Sequence, residues 1–306
     1  MERSELLSAV KSFTETARDL YLPSTVQRLD HTPTPLQFYR DFVSKNIPCI
    51  FTDMIGHWKA LERWNNDYLV DKMGDREISV AVTSNGLADS VVDGLFMLPE
   101  ERKMTMKDFV EKLQVDQKDS VYYLQKQNSC LVEEFSPLLE DVDPHIGLFT
   151  DALGSKPDAI NFWMGSESSV TSLHKDHYEN AYAVVRGSKT FTLLPPSDRF
   201  YLKYESFRVA EQKYSNGGWE VVKTENRVPW IALDPLKPDL GKYPLYRHAR
   251  PLEVTVRAGE VLYLPSMWFH HVRQSDMTVA VNYWYDMQFD NRYSAYQLCD
   301  KIASLL

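Results

Sequence analysis

The stretch Arg257-Ala258-Gly259-Glu260-Val261-Leu262-Tyr263-Leu264-Pro265-Ser266-Met267-Trp268-Phe269-His270-His271 decides how this chain folds. It opens on a turn, runs into an apolar strand at Val261–Leu264 and stops at Pro265, which cannot donate to a sheet ladder. His270 follows five residues after that proline. Downstream, Val279-Ala280-Val281-Asn282-Tyr283-Trp284-Tyr285 has the β-branched and aromatic content of another strand. Upstream, Ser169-Val170-Thr171-Ser172 and Tyr182-Ala183-Val184-Val185 flank His174-Lys175-Asp176 in the same manner. Arg186-Gly187-Ser188-Lys189 then turns the chain into Thr190-Phe191-Thr192-Leu193-Leu194. Short strands joined by short turns, with histidines and a carboxylate among them, imply a small barrel or jelly roll with a site in its mouth.

The polar residues on these strands point to a metal. Side chains at i and i+2 of a strand share a side, so His174 and Asp176 reach a common point if they lie on a strand or at its end. With His270 they supply two imidazoles and one carboxylate. That set holds non-haem Fe(II) on one face and leaves the opposite face open for substrate and oxygen. A His-x-Asp pair alone is more often a surface pair, and its surroundings give it meaning. Lys189 starts an apolar strand. Turned inward, it requires an anion, which a dicarboxylate co-substrate supplies; turned outward, it is an ordinary solvated lysine.

Gly259, Pro265 and His270 have the spacing of the second cupin motif, Gly-x5-Pro-x4-His. Together with His174-x-Asp176, Lys189, Trp268-Phe269-His270-His271-Val272 and Asn282-Tyr283-Trp284-Tyr285, the pattern resembles the jumonji-C oxygenases, and among them the small protein hydroxylases. Tyr123-Leu124-Gln125-Lys126-Gln127, Asn161-Phe162-Trp163, the run from Thr171 to Asn180, Val228-Pro229-Trp230-Ile231 and the run from Pro33 to Asp41 extend the resemblance over nearly the whole chain. It implies a mainly β protein with flanking helices (α+β). The core is then a double-stranded β-helix, a cupin-like jelly roll, with N-terminal helices and a C-terminal helical tail. It also implies Fe(II), with 2-oxoglutarate and O2 as co-substrates.

By position in the family pattern, His174, Asp176 and His270 bind the iron. Lys189 pairs with the distal carboxylate of 2-oxoglutarate, helped by the hydroxyls of Thr171 and Tyr123. Asn180 and Asn282 match amides that line the co-substrate pocket, and Trp284 walls it. Of His270 and His271 the family pattern takes the first, and strand alternation lets only one face the metal. His177, at an odd offset from His174, turns away. Iron and 2-oxoglutarate supply the oxidising power and the protein supplies geometry, so no catalytic residue beyond the metal ligands is expected.

The chain carries 34 basic and 43 acidic side chains, a net charge of −9. That disfavours nucleic acid as a direct partner and suits a basic one. The resemblance implies a lysyl hydroxylase acting on a protein with a target lysine, such as a developmentally regulated GTP-binding protein, a GTPase. Glu179, Asp286 and Asp290 are carboxylates near the expected site that can hold a lysine ammonium, with Tyr182 beside them; each is otherwise an ordinary solvated group. The alternatives on this scaffold are an N-methyl-lysine demethylase, a histone-tail endopeptidase and a non-catalytic binding module. Many jumonji demethylases carry Glu as the middle ligand and have reader domains, whereas this chain has Asp176 and no room for readers. No Ser-His-Asp, Cys-His or HExxH arrangement supports a peptidase. The intact ligand set with Lys189 argues against a silent module.

No apolar run approaches the roughly 20 residues that span a bilayer, so no membrane partner is expected. Met1-Glu2-Arg3-Ser4-Glu5 lacks the form of a signal peptide. Cys49, Cys130 and Cys299 have no metal-like spacing, and so few thiols fit a reducing compartment, the cytoplasm with access to the nucleus. Residues 1–119 read as a region flanking the barrel. In it Leu6, Leu7, Val10, Phe13, Ala17 and Leu20 predict a helix over 4–20, closed by Pro23. A second helix is expected over 35–43, strands at 48–51 and 80–82, and a helix over 104–113. Residues 120–290 read as the core, beginning with a strand at 120–125. Its insert at about 200–250 holds the hairpin turn Asn216-Gly217-Gly218 and the prolines Pro229, Pro235, Pro238 and Pro244, with Pro251 just beyond, which keep the chain extended. Covering the barrel or contacting substrate is its expected work. Residues 291–306 read as a C-terminal helix. Its apolar Tyr293, Tyr296, Ile302, Leu305 and Leu306 imply a homodimer, because an apolar helix without an internal groove marks an interface.

Overall fold

A computed structural model describes residues 3–115, 119–275 and 277–306, so the first two residues of the N-terminal stretch read above lie outside it. Eight strands build the barrel: β1 (Ala159–Gly165), β2 (Val170–Lys175), β3 (Tyr178–Arg186), β4 (Ser188–Leu194), β5 (Leu252–Arg257), β6 (Val261–Leu264), β7 (Phe269–Gln274) and β8 (Thr278–Asp286). They pair antiparallel in two layers, β6-β3-β8-β1 and β5-β4-β7-β2, a double-stranded β-helix. Alternation along each strand sorts the side chains. On β3, Tyr182 and Val184 point into the barrel with Phe191, Leu193 and Leu262. Ala181, Ala183 and Val185 point outward, into a second core shared with the N-terminal half. A strand buried on both faces reads as one continuous apolar run, and β8 does so over Val279–Val281.

The N-terminal half extends the first layer rather than standing apart. Cys49–Phe51 adds to β6 and carries Gln27–Leu29 on its other edge, and Val121–Leu124, Glu77–Thr83 and Glu100–Thr105 continue the sheet beyond β1, nine strands in all. The helix expected over 104–113 begins at Met106 instead. Met104 and Thr105 pair with Ile78 and Glu77 in the sheet, and Thr105 caps the helix reciprocally with Asp108. The helix expected over 35–43 divides into an α turn at Pro35–Phe38, capped by Thr34, and a wider π turn at Tyr39–Val43. Arg3–Leu20 is one helix, with Val10, Thr14 and Ala17 buried.

The insert is a long hairpin, Tyr204–Ser215 against Gly218–Ile231, turning at Asn216 and Gly217, both at positive φ. Its first strand also pairs in parallel with Leu95–Leu98. Its second strand is an edge, which tolerates Pro229 within it. Pro244 does not keep the chain extended. It starts a short 3-10 turn at Pro244–His248, a position that suits a residue with no N–H to donate. The C-terminal helix Asn291–Ala303 does find an internal groove. Tyr296 is buried, and Ile302 and Leu306 pack on Val10, Phe200 and Tyr201. Of its large apolar side chains Leu298 stands exposed, as does Leu305 just past the end of the helix. An absent groove is therefore no argument for a dimer.

Glu179 illustrates how parity assigns roles. It shares the outward side of β3 with Ala181. Buried there, its carboxylate accepts from the Tyr263 hydroxyl at 2.7 Å, the Ser266 hydroxyl at 2.8 Å and the Ser266 N–H at 3.2 Å. Replacing it by Gln puts amide hydrogens against those donors. Glu179→Gln should destabilise the fold by about 2 kcal/mol in urea unfolding; an unchanged midpoint would contradict this assignment.

Candidate functional site

The register of β2 on β7 sets His174 directly opposite His270, with ring centroids 4.2 Å apart. Asp176 Oδ2 lies 3.9 Å from His174 Nε2 and 3.6 Å from His270 Nε2. One ligand atom from each residue falls within 4.8 Å of the other two, so one metal ion can touch all three. The rings are held from behind. His174 Nδ1 lies 2.8 Å from the Ser172 carbonyl, and His270 Nδ1 lies 3.0 Å from the Trp268 carbonyl. A carbonyl only accepts, so each Nδ1 carries its hydrogen and Nε2 is the ring nitrogen turned toward the cluster. Burial, reinforced by His174, lowers the pKa of His270 to about 4, so its imidazole is neutral at neutral pH, the form that a metal takes.

The loop between β6 and β7 is clipped to this centre. Met267, at φ 68, donates its N–H to the Asp176 carbonyl at 2.9 Å. The buried Trp268 indole donates to Asn46 Oδ1 at 2.7 Å. His271 is the next residue on β7 and stays outside the cluster, opposite Thr192. His177 stacks on Phe289 instead.

Lys189 lies behind Tyr123, a residue of the cavity wall. β4 pairs with β7 so that Lys189 faces Gln274. Its side chain is 1 % exposed and donates to the Tyr123 hydroxyl at 2.9 Å and to Gln274 Oε1. The Thr171 hydroxyl also bonds to Tyr123. Both acceptors of Lys189 are neutral, and burial without an opposing charge lowers its pKa to about 7. A buried amine furnished with acceptors but no counter-charge fits an anionic ligand. Gly165 makes this closure possible: a Cβ there would lie 2.6 Å from Tyr123 Cδ2 and 2.9 Å from Gln274 Nε2.

A cavity of about 550 Å³ runs from the His174, Asp176 and His270 cluster to Tyr123 and Tyr182, which flank Lys189. Asn180, Asn282 and Trp284 line it, as does Trp163, whose indole donates to Asn282 Oδ1 at 2.7 Å. Asn282 in turn donates to Asn180 at 3.1 Å. The expected substrate residues fall elsewhere. Glu179 faces outward and is already satisfied. Asp286 is exposed at the end of β8, outside the lining. Asp290 caps the C-terminal helix and pairs with Arg292. Tyr182 does line the cavity, but at the deep end, its ring centre 5.8 Å from Lys189 Nζ. Gln274 was legible in principle, since it shares a face of β7 with His270 at i+4. Trp230, whose ring lies parallel to His174 at 6.2 Å, and Asp89 arrive from outside the eight strands, and no pattern of their own points to the site.

Geometry of this kind is that of a cupin-like oxygenase, and residues 35–291 match the cupin-like domain. The chain is 48% identical to the human bifunctional peptidase and (3S)-lysyl hydroxylase JMJD7, over 97% of this chain and 95% of that protein. It is 41% identical to the lysine-specific demethylase JMJ32 of Arabidopsis thaliana, over 93% of this chain and 88% of that one. It is 39% identical to JmjC domain-containing protein E of Dictyostelium discoideum, over 92% and 89%. The chain belongs to the cupin-like JmjC family and is a 2-oxoglutarate-dependent dioxygenase.

The two adjacent histidines separate ligand from neighbour. Wild-type protein should bind one equivalent of Mn(II) in place of iron. His270→Ala should weaken that binding by roughly a hundredfold or more, and His271→Ala only severalfold, a ligand against a residue behind it. Calorimetric titration checks this, and equal losses would contradict the assignment.

Proposed function

We propose that this chain is an Fe(II)- and 2-oxoglutarate-dependent protein hydroxylase that oxidises a lysine side chain. Its substrate is then a protein such as a developmentally regulated GTP-binding protein, a GTPase. One observation carries the reading: the cavity lined by His174, Asp176 and His270 ends at Tyr123, and the hydroxyl of Tyr123 is held by a buried lysine, Lys189, that has no counter-charge. His174, Asp176 and His270 would hold the iron. Lys189, with Tyr123 and Thr171, would hold the distal carboxylate of 2-oxoglutarate. When bound, iron and 2-oxoglutarate supply, with O2, the power to oxidise an unactivated C–H bond.

The rest of the work belongs to the chain. Carbonyl-anchored imidazoles keep the ligand geometry. The Asn180–Asn282–Trp163 hydrogen bonds fix the polar wall. Trp230 and Trp284 keep water from the reacting centre. A net charge of −9 suits a basic target segment. The human relative is named for lysyl hydroxylation, which supports the choice of residue. Free thiols at Cys49, Cys130 and Cys299 support a cytoplasmic location with access to the nucleus. We place a homodimer contact at the exposed Leu298 and Leu305 of the C-terminal tail.

The test is intact-mass analysis of a lysine peptide from such a GTPase, incubated with protein, Fe(II), ascorbate and 2-oxoglutarate. The expected product gains one oxygen, only with 2-oxoglutarate and not with His174→Ala. Backbone scission, or loss of a methylene unit from a methylated peptide without oxygen gain, would contradict the reading.

Lysine 189 makes the co-substrate affinity depend on pH. Its ammonium has a pKa of about 7 before a carboxylate pairs with it, and pairing favours the charged form. Above that pH, binding must take up a proton, so 2-oxoglutarate affinity should fall by about tenfold per pH unit. Calorimetry between about pH 6.5 and 9 checks this, and a flat profile would contradict it.

A further inference from the structure

The cavity contains a carboxylate that the metal site does not use. Asp89 lines it together with His174, Phe96 and Trp230. The short strand Leu87–Ala88 brings it there, running parallel to β2 with Ala88 opposite Thr171. That approach depends on Gly86, where a Cβ would lie 1.8 Å from the Ser168 carbonyl oxygen. The chain then passes through Asp89 at φ 51, a conformation that Asp and Asn adopt more readily than other side chains. The Ser172 hydroxyl donates to the Asp89 carbonyl at 2.7 Å and accepts from the Trp230 indole at 3.1 Å. Ser172 is also the residue whose carbonyl holds the His174 ring. One set of contacts therefore ties Asp89, Trp230 and the metal site together.

The Asp89 carboxylate is available. Its side chain accepts one hydrogen bond, from Gln125 Nε2 at 3.2 Å, and forms no ion pair among the described residues. Burial raises its pKa, an effect opposed by His174 and Gln125, so the group is held where a cation would be welcome. The other carboxylates of the lining are spoken for or remote from the interior: Asp176 is a metal ligand and Glu101 is exposed. Phe96 packs on Trp230 with ring centres 4.8 Å apart, so the wall beside Asp89 is aromatic. Such a wall accepts the methylene stem of a long cationic side chain, while the charged head needs a carboxylate.

We propose that Asp89, beside Gln125 and against the Trp230–Phe96 wall, receives the ammonium of the substrate lysine and selects for it. The proposal rests on the reading of the substrate as a lysine side chain. Gripping the nitrogen at Asp89 leaves carbons of the stem, rather than substituents on nitrogen, to face the metal. That arrangement serves C–H hydroxylation and not removal of an N-methyl group.

Asp89→Asn tests this with little disturbance, because Asn has the same shape and tolerates the same backbone conformation. The probes are a fluorescein-labelled GTPase lysine peptide and its counterpart with norleucine, which ends in a methyl group, at the target position. Anisotropy on metal-free protein reads binding, and hydroxylation by the iron-loaded enzyme reads KM. The 2-oxoglutarate affinity of the variant reports that its barrel is intact. Wild-type protein should prefer lysine by roughly tenfold or more, the scale of a charge-assisted hydrogen bond. Asp89→Asn should bind both peptides within about twofold of each other, with a raised KM for the lysine peptide. A variant that keeps the wild-type preference would overturn the proposal alone. A wild-type enzyme that oxidises no lysine peptide would sink the lysyl-hydroxylase reading and this proposal with it.

Discussion

The register of β7 between β2 and β4 is the constraint on which the rest of the site depends. It sets His174 opposite His270 on one side and Lys189 opposite Gln274 on the other. Because the strand period is two, a slip of one residue would turn His270 and Gln274 out of the barrel together and bring His271 in. The His174–His270 contact and the Lys189–Gln274 contact thus depend on one pairing. The surrounding structure protects that pairing: Trp268 is anchored on Asn46, Met267 on the Asp176 carbonyl, and the loop on the buried Glu179.

Lys189 is a cost that the fold alone does not recover. An amine at 1 % exposure with neutral acceptors sits in surroundings that disfavour its charge, as its lowered pKa records. Tyr123, Gln274 and the bare backbone of Gly165 hold the amine in place without neutralising it. Polar groups placed this way agree with a ligand rather than with stability, which is where local rules of folding are expected to break. Asp89 is the same case with the opposite sign, a partly buried carboxylate with a single amide donor.

How much of this was legible in the sequence follows from where each residue sits. His174, His270 and Lys189 lie on strands of the barrel and Asp176 directly follows the end of β2, so their spacing and apolar flanks carry their positions directly. Glu179 is near the site in sequence but not in space, because parity on β3 gives Asn180 and Tyr182 the inward side and Glu179 the outward. At Met104 and Thr105 the apolar periodicity of the helix continues across its boundary, while the Thr105–Asp108 cap sets the true start. The groove that receives Ile302 is built from the N-terminal helix and the turn Pro196–Tyr201, while Tyr296 joins the cluster of Leu173, Leu202 and Tyr246. Trp230 and Asp89 reach the site through tertiary contacts of the insert and of the Gly86 segment. Contacts between segments so distant in the chain leave no local periodicity to read.

The most direct test of the central claim is the fate of the oxygen atoms when a lysine peptide is turned over under oxygen-18 gas. The account predicts one labelled atom in the product peptide and one in succinate, with one 2-oxoglutarate consumed for each peptide oxidised and no label fixed by His174→Ala. A peptide without label, or one that is cut or that only loses a methyl group, would contradict it.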